Sequence, residues 1–105
     1  MSVNYITMSG RATRDATFWD TKNGGKMCWF PFAHNDLSYP DSKPVFFRVC
    51  IFGERSKQLA DDIRTSDPLI VIGKIVTSTN NDDEQYQSIF ADKIMFLRDF
   101  KAEKE

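Results

Sequence analysis

The sequence predicts an all-β domain: a five-stranded barrel with one short helix between its third and fourth strands. Three observations carry that expectation. Apolar and polar residues alternate with a period of two in one segment after another, and a single stretch has helical spacing. At 105 residues the chain has room for one core and not two.

Tyr5 to Thr13 sets Ile6 and Met8 against Thr7 and Ser9 and then reaches Gly10-Arg11. This reads as a first strand that bends hard at a glycine, as barrel strands do. Ala16 to Thr21 leads into Lys22-Asn23-Gly24-Gly25-Lys26, the strongest hairpin turn in the chain, and the return strand runs from Met27 to about Asn35. A three-residue loop (Asn23, Gly24, Gly25) sets Phe18 opposite Phe30 and Trp19 opposite Trp29. Phe18, Phe30 and Phe32 then share one face and both tryptophans the other, whereas a two-residue loop mixes the faces. Pro31 falls on the tryptophan face, which suits an edge or bulged strand rather than a central ladder.

Asp36 to Pro44 is a loop on its turn formers and two prolines. Val45 to Gly53 follows, a strand with two unlike faces. Phe47, Val49 and Ile51 can fill a core, while Phe46, Arg48, Cys50 and Phe52 share the opposite side. Two rings around a guanidinium suit a flat anionic partner such as single-stranded nucleic acid, whose bases stack on rings while arginine meets phosphate. The alternative is a strand buried on both faces. Arg48 favours the open face, because an unpaired buried charge is costly.

Glu54 to Arg64 is the helical stretch, with Leu59 and Ile63 four apart, Ala60 beside them and Thr65-Ser66-Asp67-Pro68 as its stop. Leu69 to Thr77 is an apolar strand, Asn80 to Glu84 a polar turn and Gln85 to Leu97 the last strand. Residues 1–98 form the barrel domain and 99–105 a short charged tail. This order is that of an OB-fold, whose binding face lies on the second and third strands and adjoining loops.

Composition narrows the function. Aromatic residues are 13% of the chain, with nine Phe and two Trp, more than so small a core needs. Net charge is −1 and pI about 5.8, so binding to nucleic acid must rest on local placement of charge. No apolar run reaches the roughly 18 residues of a membrane span, and no secretion signal opens the chain. The two cysteines lack metal-ligand spacing, and two reduced thiols in a cytoplasmic protein are expected. No cofactor, metal or catalytic set is expected: His34 has no partners for catalysis, Gly73-Lys74 runs into Ile75 rather than a phosphate loop, and Asp82-Asp83-Glu84 reads as a solvated turn.

Six pieces then stand in a recognisable order: Gly10-Arg11-Ala12-Thr13-Arg14-Asp15, Asn23-Gly24-Gly25, Phe30-Pro31-Phe32-Ala33, Phe47-Arg48-Val49-Cys50-Ile51-Phe52-Gly53, Leu59-Ala60 and Val71-Ile72-Gly73-Lys74. In order and spacing, from about Asn4 to Leu97, the chain resembles the bacterial and phage single-stranded DNA-binding protein family. The resemblance implies an OB-fold, sequence-tolerant binding of single strands, and assembly into homodimers or homotetramers. It implies base stacking at Phe46, DNA contact at Phe52, a basic contact at Arg48 and a subunit contact at Phe47.

Departures from the family pattern shape the remaining expectations. Tyr39 is a displaced substitute for a tryptophan near the end of the second strand, and Trp19 and Trp29 add stacking surface the usual pattern lacks. Arg11, Arg14, Lys22, Lys26 and Lys74 are candidate phosphate contacts. Thr77 to Gln85 has neither basic nor aromatic residues, so that hairpin is expected to contribute little to wrapping DNA. The family's acidic tail with an apolar tip is missing, as expected of a tail-less phage, plasmid or primosomal relative or of a shortened chain.

The function expected is sequence-independent binding of single-stranded DNA in replication, recombination or repair. The alternatives are an OB-fold protein-interaction module of the primosome or mobile-element type, and a single-stranded RNA binder.

Overall fold

The segment Val45–Phe52 lies inside the sheet with a hydrogen-bonded neighbour on each side. A computed structural model describes residues 3–21, 24–36, 38, 40–79 and 82–99. Its elements are β1 (Ile6–Ala12), β2 (Thr17–Asp20), β3 (Lys26–His34), β4 (Val45–Phe52), α1 (Ser56–Asp62), β5 (Pro68–Thr79) and β6 (Gln85–Phe96), with a 3-10 turn at Leu97–Asp99. The sheet order is β1-β5-β6-β4-β3-β2, and a further β1–β3 pairing makes a closed ring of β1, β5, β6, β4 and β3. β4 joins the two halves, antiparallel to β3 and parallel to β6.

The barrel has the five strands expected, but β2 is a sixth that pairs only with β3. In chain order the helix therefore lies between β4 and β5; among the ring strands alone it follows the third. β1 runs on past the Gly10 bend to Ala12, and the expected hairpin segment Ala16 to Thr21 forms β2 over Thr17–Asp20. Gly10 stands where β1 passes from β5 to β3, so close that a Cβ there would lie 2.2 Å from the Ala33 carbonyl oxygen. Only glycine fits that crossing.

Pro31 occupies a central strand, contrary to the edge or bulge expected of it. β3 is flanked by β2 as far as Trp29 and by β1 from Phe32 onward, and Pro31 sits in the gap between the two ladders. There its missing N–H leaves no ladder bond unmade on that side, while its carbonyl accepts from Thr13 N–H at 2.9 Å.

The hairpin keeps a three-residue loop but places it one residue earlier. Thr21 N–H donates to Gly25 O at 2.9 Å, Gly25 N–H returns to Thr21 Oγ1 at 2.9 Å, and Gly24 takes φ +82°. Phe18 consequently faces Cys28, and Trp19 faces Met27, two positions from the expected partners. A single left-handed residue suffices for such a loop, and the first glycine supplies it. A shift of two preserves the faces.

Phe30, Phe32, Val49, Ile51, Ile63, Leu69, Val71 and Ile89 are fully buried in one cluster, with Phe30 and Phe32 edge to face at 6.2 Å. Each such side chain stabilises by roughly 1.5–3 kcal/mol. α1 packs against β3 and β2 and is shorter at both ends than the expected 54–64. Gly53 at φ +108° turns the chain at the start, and Ile63 goes extended to reach the core at the end. The Arg64 N–H that would continue the helix donates instead to Asp67 Oδ2 at 2.9 Å.

β5 and β6 outrun their neighbours. Their ladder reaches Thr79↔Gln85, whereas β1 leaves β5 at Gly73 and β4 pairs with β6 only at Ser88 to Phe90. The two strands continue as an arm, in keeping with the 51 Å long axis against 32 Å across. At the other end Arg98 anchors the last turn to Asp67 at 3.0 Å. Of the expected tail, residues 100–105 lie outside the described residues.

Two tests follow from these contacts. Gly10→Ala is expected to cost about 1–3 kcal/mol of unfolding free energy by denaturant titration, as for forced overpacking; an unchanged midpoint would show that the β1 crossing is loose. The second concerns Asp15, whose carboxylate accepts from Thr65 N–H at 2.8 Å and Thr65 Oγ1 at 3.0 Å, with Arg64 Nη1 at 3.4 Å. The Thr65 backbone bond, foremost among these, holds its pKa below the usual carboxylate value. A folded pKa below the unfolded one gives stability that is full above the ordinary range and lost as pH falls through the folded value. Asp15→Asn should therefore flatten the loss of Tm below about pH 4, and a wild-type acid limb in that variant would remove Asp15 from the account.

Candidate nucleic-acid interface

Residues paired across a sheet share a face, so the registers lay out the barrel's outer surface as rows. One row runs Trp19, Met27, Phe52; the next runs Trp29, Cys50, Phe90, Lys74; a third holds Pro31, Arg48 and Ser88; a fourth holds Arg11, Ala33 and Phe46. Phe46, Phe52 and Trp19 expose 63%, 50% and 52% of their surface, large for rings on a folded domain. The inward side of the same strand is closed: Phe47, Val49 and Ile51 are buried.

Arg48 is the centre of the arrangement. Its guanidinium carbon lies 5.0 Å from the Trp29 ring centre and 4.7 Å from that of Tyr86. Such contacts contribute about 0.5–1 kcal/mol each at exposed sites and hold the guanidinium between the rings. Among the described residues it has no carboxylate partner. Beside it a hollow of about 380 Å³ is walled by Trp19, Met27, Trp29, Phe52 and Phe90, with Cys50 and Ser88 at its floor. Phe52 and Phe90 meet edge to face at 5.1 Å, which fixes the rim of that hollow. The arrangement offers ring faces to planar groups and one unneutralised cation to an anion between them.

The basic candidates divide. Arg11 is exposed in the row of Phe46 and Lys74 in the row of Phe90, while Arg14 is exposed in the turn after β1. Lys26 is committed elsewhere: its Nζ meets Glu54 Oε1 at 2.9 Å, and that hydrogen bond raises its pKa. Arg55, Arg64 and Arg98 are likewise engaged, by the Ala91 and Asp92 carbonyls, Asp15 and Asp67. Lys22 and Tyr39 lie outside the described residues. Phe47, expected at a subunit contact, belongs to the core and is 8% exposed in the single chain. His34 Nδ1–H donates to the Ser9 carbonyl at 2.7 Å, tying β3 to β1.

The cysteines separate by face. Cys28 is fully buried in the core, and desolvation pushes its thiol up to about 11. Cys50 at the floor of the hollow is also raised by burial, against the opposing pull of Arg48. Neither is a thiolate at neutral pH. Among the described residues no group of three or more His, Cys, Asp and Glu side chains is placed to hold a metal ion, and no helix is long and apolar enough to cross a membrane.

Tyr86 and Phe90 are the site residues that sequence reasoning missed. Gln85 to Ala91 does alternate, with Tyr86, Ser88 and Phe90 on one side and Ile89 and Ala91 in the core. That signal shows which residues share a face. It does not show that β6 runs parallel to β4, which sets those residues beside Arg48.

The chain was compared with known proteins. The single-strand binding protein family model matches residues 3–97. A search of curated proteins found no match. Among solved structures the chain is similar to the crystal structure of a small single-stranded DNA-binding protein from Streptomyces coelicolor, with a TM-score of 0.73 and 19% sequence identity over 91% of this chain and 94% of that one. That likeness confirms the barrel, and the family match spans all six strands and the helix. The chain belongs to the single-strand binding protein family.

Proposed function

We propose that the chain binds single-stranded DNA with little regard to sequence, stacking bases on Phe46, Phe52 and Trp29 and meeting phosphate with Arg48. The observation that carries this reading is the row pattern of the outer face, where exposed rings flank a guanidinium with no carboxylate partner. Every base has a π-face, so stacking is indifferent to sequence, while the cation fixes the backbone. Trp19 extends the stacking wall, and Arg11, Arg14 and Lys74 are further phosphate contacts by exposure and position. Lys26 contributes less, since a phosphate would have to displace Glu54.

The net charge of −1 does not oppose this. Screening limits charge effects to about 8–10 Å at ordinary salt, so a strand on the face responds to Arg48 rather than to the whole chain. Exposed rings beside an uncompensated arginine fit a protector of single strands in replication, recombination or repair, acting in the cytoplasm. Assembly into a homodimer or homotetramer belongs to the same reading. Phe47 is the contact the resemblance implies, and Val3 and Tyr5 just before β1, 81% and 69% exposed, offer further apolar surface for it. A second reading, a protein-interaction module, draws on the acidic Asp82-Asp83-Glu84 and the same aromatic surface. A protein that shifts no single strand, DNA or RNA, while its rings stay protected in a purified oligomer would favour it. Comparing dT and rU oligomers at one salt concentration separates the nucleic acids.

Oligo-dT is expected to quench the tryptophan fluorescence, with affinity falling steeply as salt rises. Phe46→Ala and Phe52→Ala should each weaken binding by roughly 1–3 kcal/mol while the fold persists. If neither changes the titration, the platform is misassigned. Thiol labelling gives an independent check. Cys50 should react slowly at pH 7, faster as pH rises toward its raised pKa, and more slowly again with oligo-dT bound. Cys28 should react only on unfolding. Undiminished Cys50 labelling under saturating oligo-dT would place the strand elsewhere.

A further inference from the structure

Cys50 sits at the centre of a cross of side chains. Trp29 is its partner on β3 and Phe90 its partner on β6, while Arg48 and Phe52 precede and follow it on the same face of β4. The thiol belongs to a residue 6% exposed, and what it shows opens on the hollow of about 380 Å³ that it lines. Cys28, by contrast, is fully buried among core side chains.

Ser88 lines the same hollow, opposite Arg48 in the parallel ladder. It is 2% exposed and makes no side-chain hydrogen bond among the described residues. Every fully enclosed polar side-chain atom among those residues has a partner. The Ser88 hydroxyl is therefore not sealed in, and the little surface it keeps opens on the hollow. A nearly buried hydroxyl with unmet hydrogen-bonding capacity marks a place where a ligand's polar group is welcome.

These features select a ligand. Ring faces on the walls favour a flat apolar body, and the volume lies within the roughly 300–1,000 Å³ of small-molecule sites. The guanidinium of Arg48 only donates, and the Ser88 hydroxyl can donate beside it, which suits a carbonyl oxygen. Next to them stands a soft nucleophile. A quinone presents all three complements at once: a flat ring, acceptor oxygens, and a ring carbon that thiols attack.

We propose that the hollow is a covalent modification site for quinones, with Cys50 as the nucleophile. The ring lies against the aromatic walls, and its carbonyl oxygen accepts from Arg48 and Ser88. The Cys50 sulfur bonds to a ring carbon, and the C=C electron pair moves to the carbonyl oxygen, which takes up the proton the thiol gives up. Transfer of the hydrogen on the attacked carbon to the second oxygen leaves a hydroquinone thioether. The quinone is reduced by one electron pair as the C–S bond forms, so no other oxidant or reductant enters. Burial raises the Cys50 pKa against the opposing pull of Arg48, so the thiol depends on the hollow to hold the electrophile over it. The adduct occupies the face assigned above to single-stranded DNA. The proposal rests on that reading and adds a means of switching it off.

The test incubates the whole chain at neutral pH with para-naphthoquinone and, separately, with iodoacetamide, a thiol reagent without a ring, and maps the products by mass. Addition at Cys50 is expected to saturate with quinone concentration, because binding precedes bond formation. Its preference for the quinone over iodoacetamide should exceed that of free cysteine by about tenfold or more. Cys28 should stay unmodified. Ser88→Ala should slow the quinone reaction about three- to tenfold and leave iodoacetamide labelling unchanged; an unchanged quinone rate overturns the role of that hydroxyl. Rates strictly proportional to quinone, with no preference beyond that of free cysteine, overturn the site. Loss of the β-sheet circular dichroism on modification does the same, since the ring would then not fit.

A second arm follows the anisotropy of a labelled dT oligomer. The folded adduct should bind about tenfold more weakly than unmodified protein, or worse. Equal affinity in a fully modified protein overturns the switch. Unmodified protein that binds no single strand overturns the DNA reading instead, and the mass arm, which contains no DNA, decides the site separately.

Discussion

β4 is hydrogen-bonded to antiparallel β3 along its whole length and to parallel β6 over Arg48 to Cys50 at its middle, and the rest of the molecule depends on this. A strand held on both sides cannot twist its side chains away from their alternation. Phe47, Val49 and Ile51 are committed to the core, and Phe46, Arg48, Cys50 and Phe52 are committed to the outside whether or not water welcomes them. The same two pairings choose their neighbours: Trp29 comes from β3, and Tyr86 and Phe90 come from β6. Core and binding face are the two sides of one constraint. A change that loosened either ladder would disturb both.

Much of this was legible because parity is robust. The hairpin register expected from Asn23-Gly24-Gly25 was displaced by two positions, yet Phe18, Phe30 and Phe32 still point inward and both tryptophans outward. An error of one would have reversed every assignment. Pro31 was legible as an anomaly but not as a solution. Its local sequence says only that a ladder bond is absent, while the handover of β3 from β2 to β1 that makes the absence harmless depends on the Gly10 crossing.

What stayed hidden depends on contacts between segments distant in the chain. Tyr86 and Phe90 alternate correctly within their own strand, but a parallel neighbour separated by a helix and a strand leaves no local mark. Charge pairing is hidden in the same way. Lys26 looks like any exposed lysine beside a turn until Glu54, just past the end of β4, is brought to 2.9 Å from it. Phe47 fills the barrel, and its 8% exposure follows from the alternation of β4 itself.

The distribution of charge then explains how an acidic chain can present a face for an anion. Arg55, Arg64 and Arg98 are engaged by carbonyls and carboxylates that fasten the helix and the last turn to the barrel. Arg11, Arg14 and Arg48 have no carboxylate partner among the described residues. Acidic groups collect at the arm tip and around the helix, while beside the row of Phe52 Glu54 is held by Lys26 and Asp20 stands opposite the same lysine. Since exposed charges beyond about 8–10 Å are largely screened, the net value of −1 averages over regions that a bound strand would not sense together. On the face itself Arg48 between its two rings is the central cation, with Arg11 and Lys74 exposed in the rows of Phe46 and Phe90. The rings also keep Arg48 available, because a guanidinium held over Trp29 and Tyr86 is less free to reach a distant carboxylate. Aromatic packing therefore serves twice, as a surface for bases and as the support that leaves the cation open to phosphate.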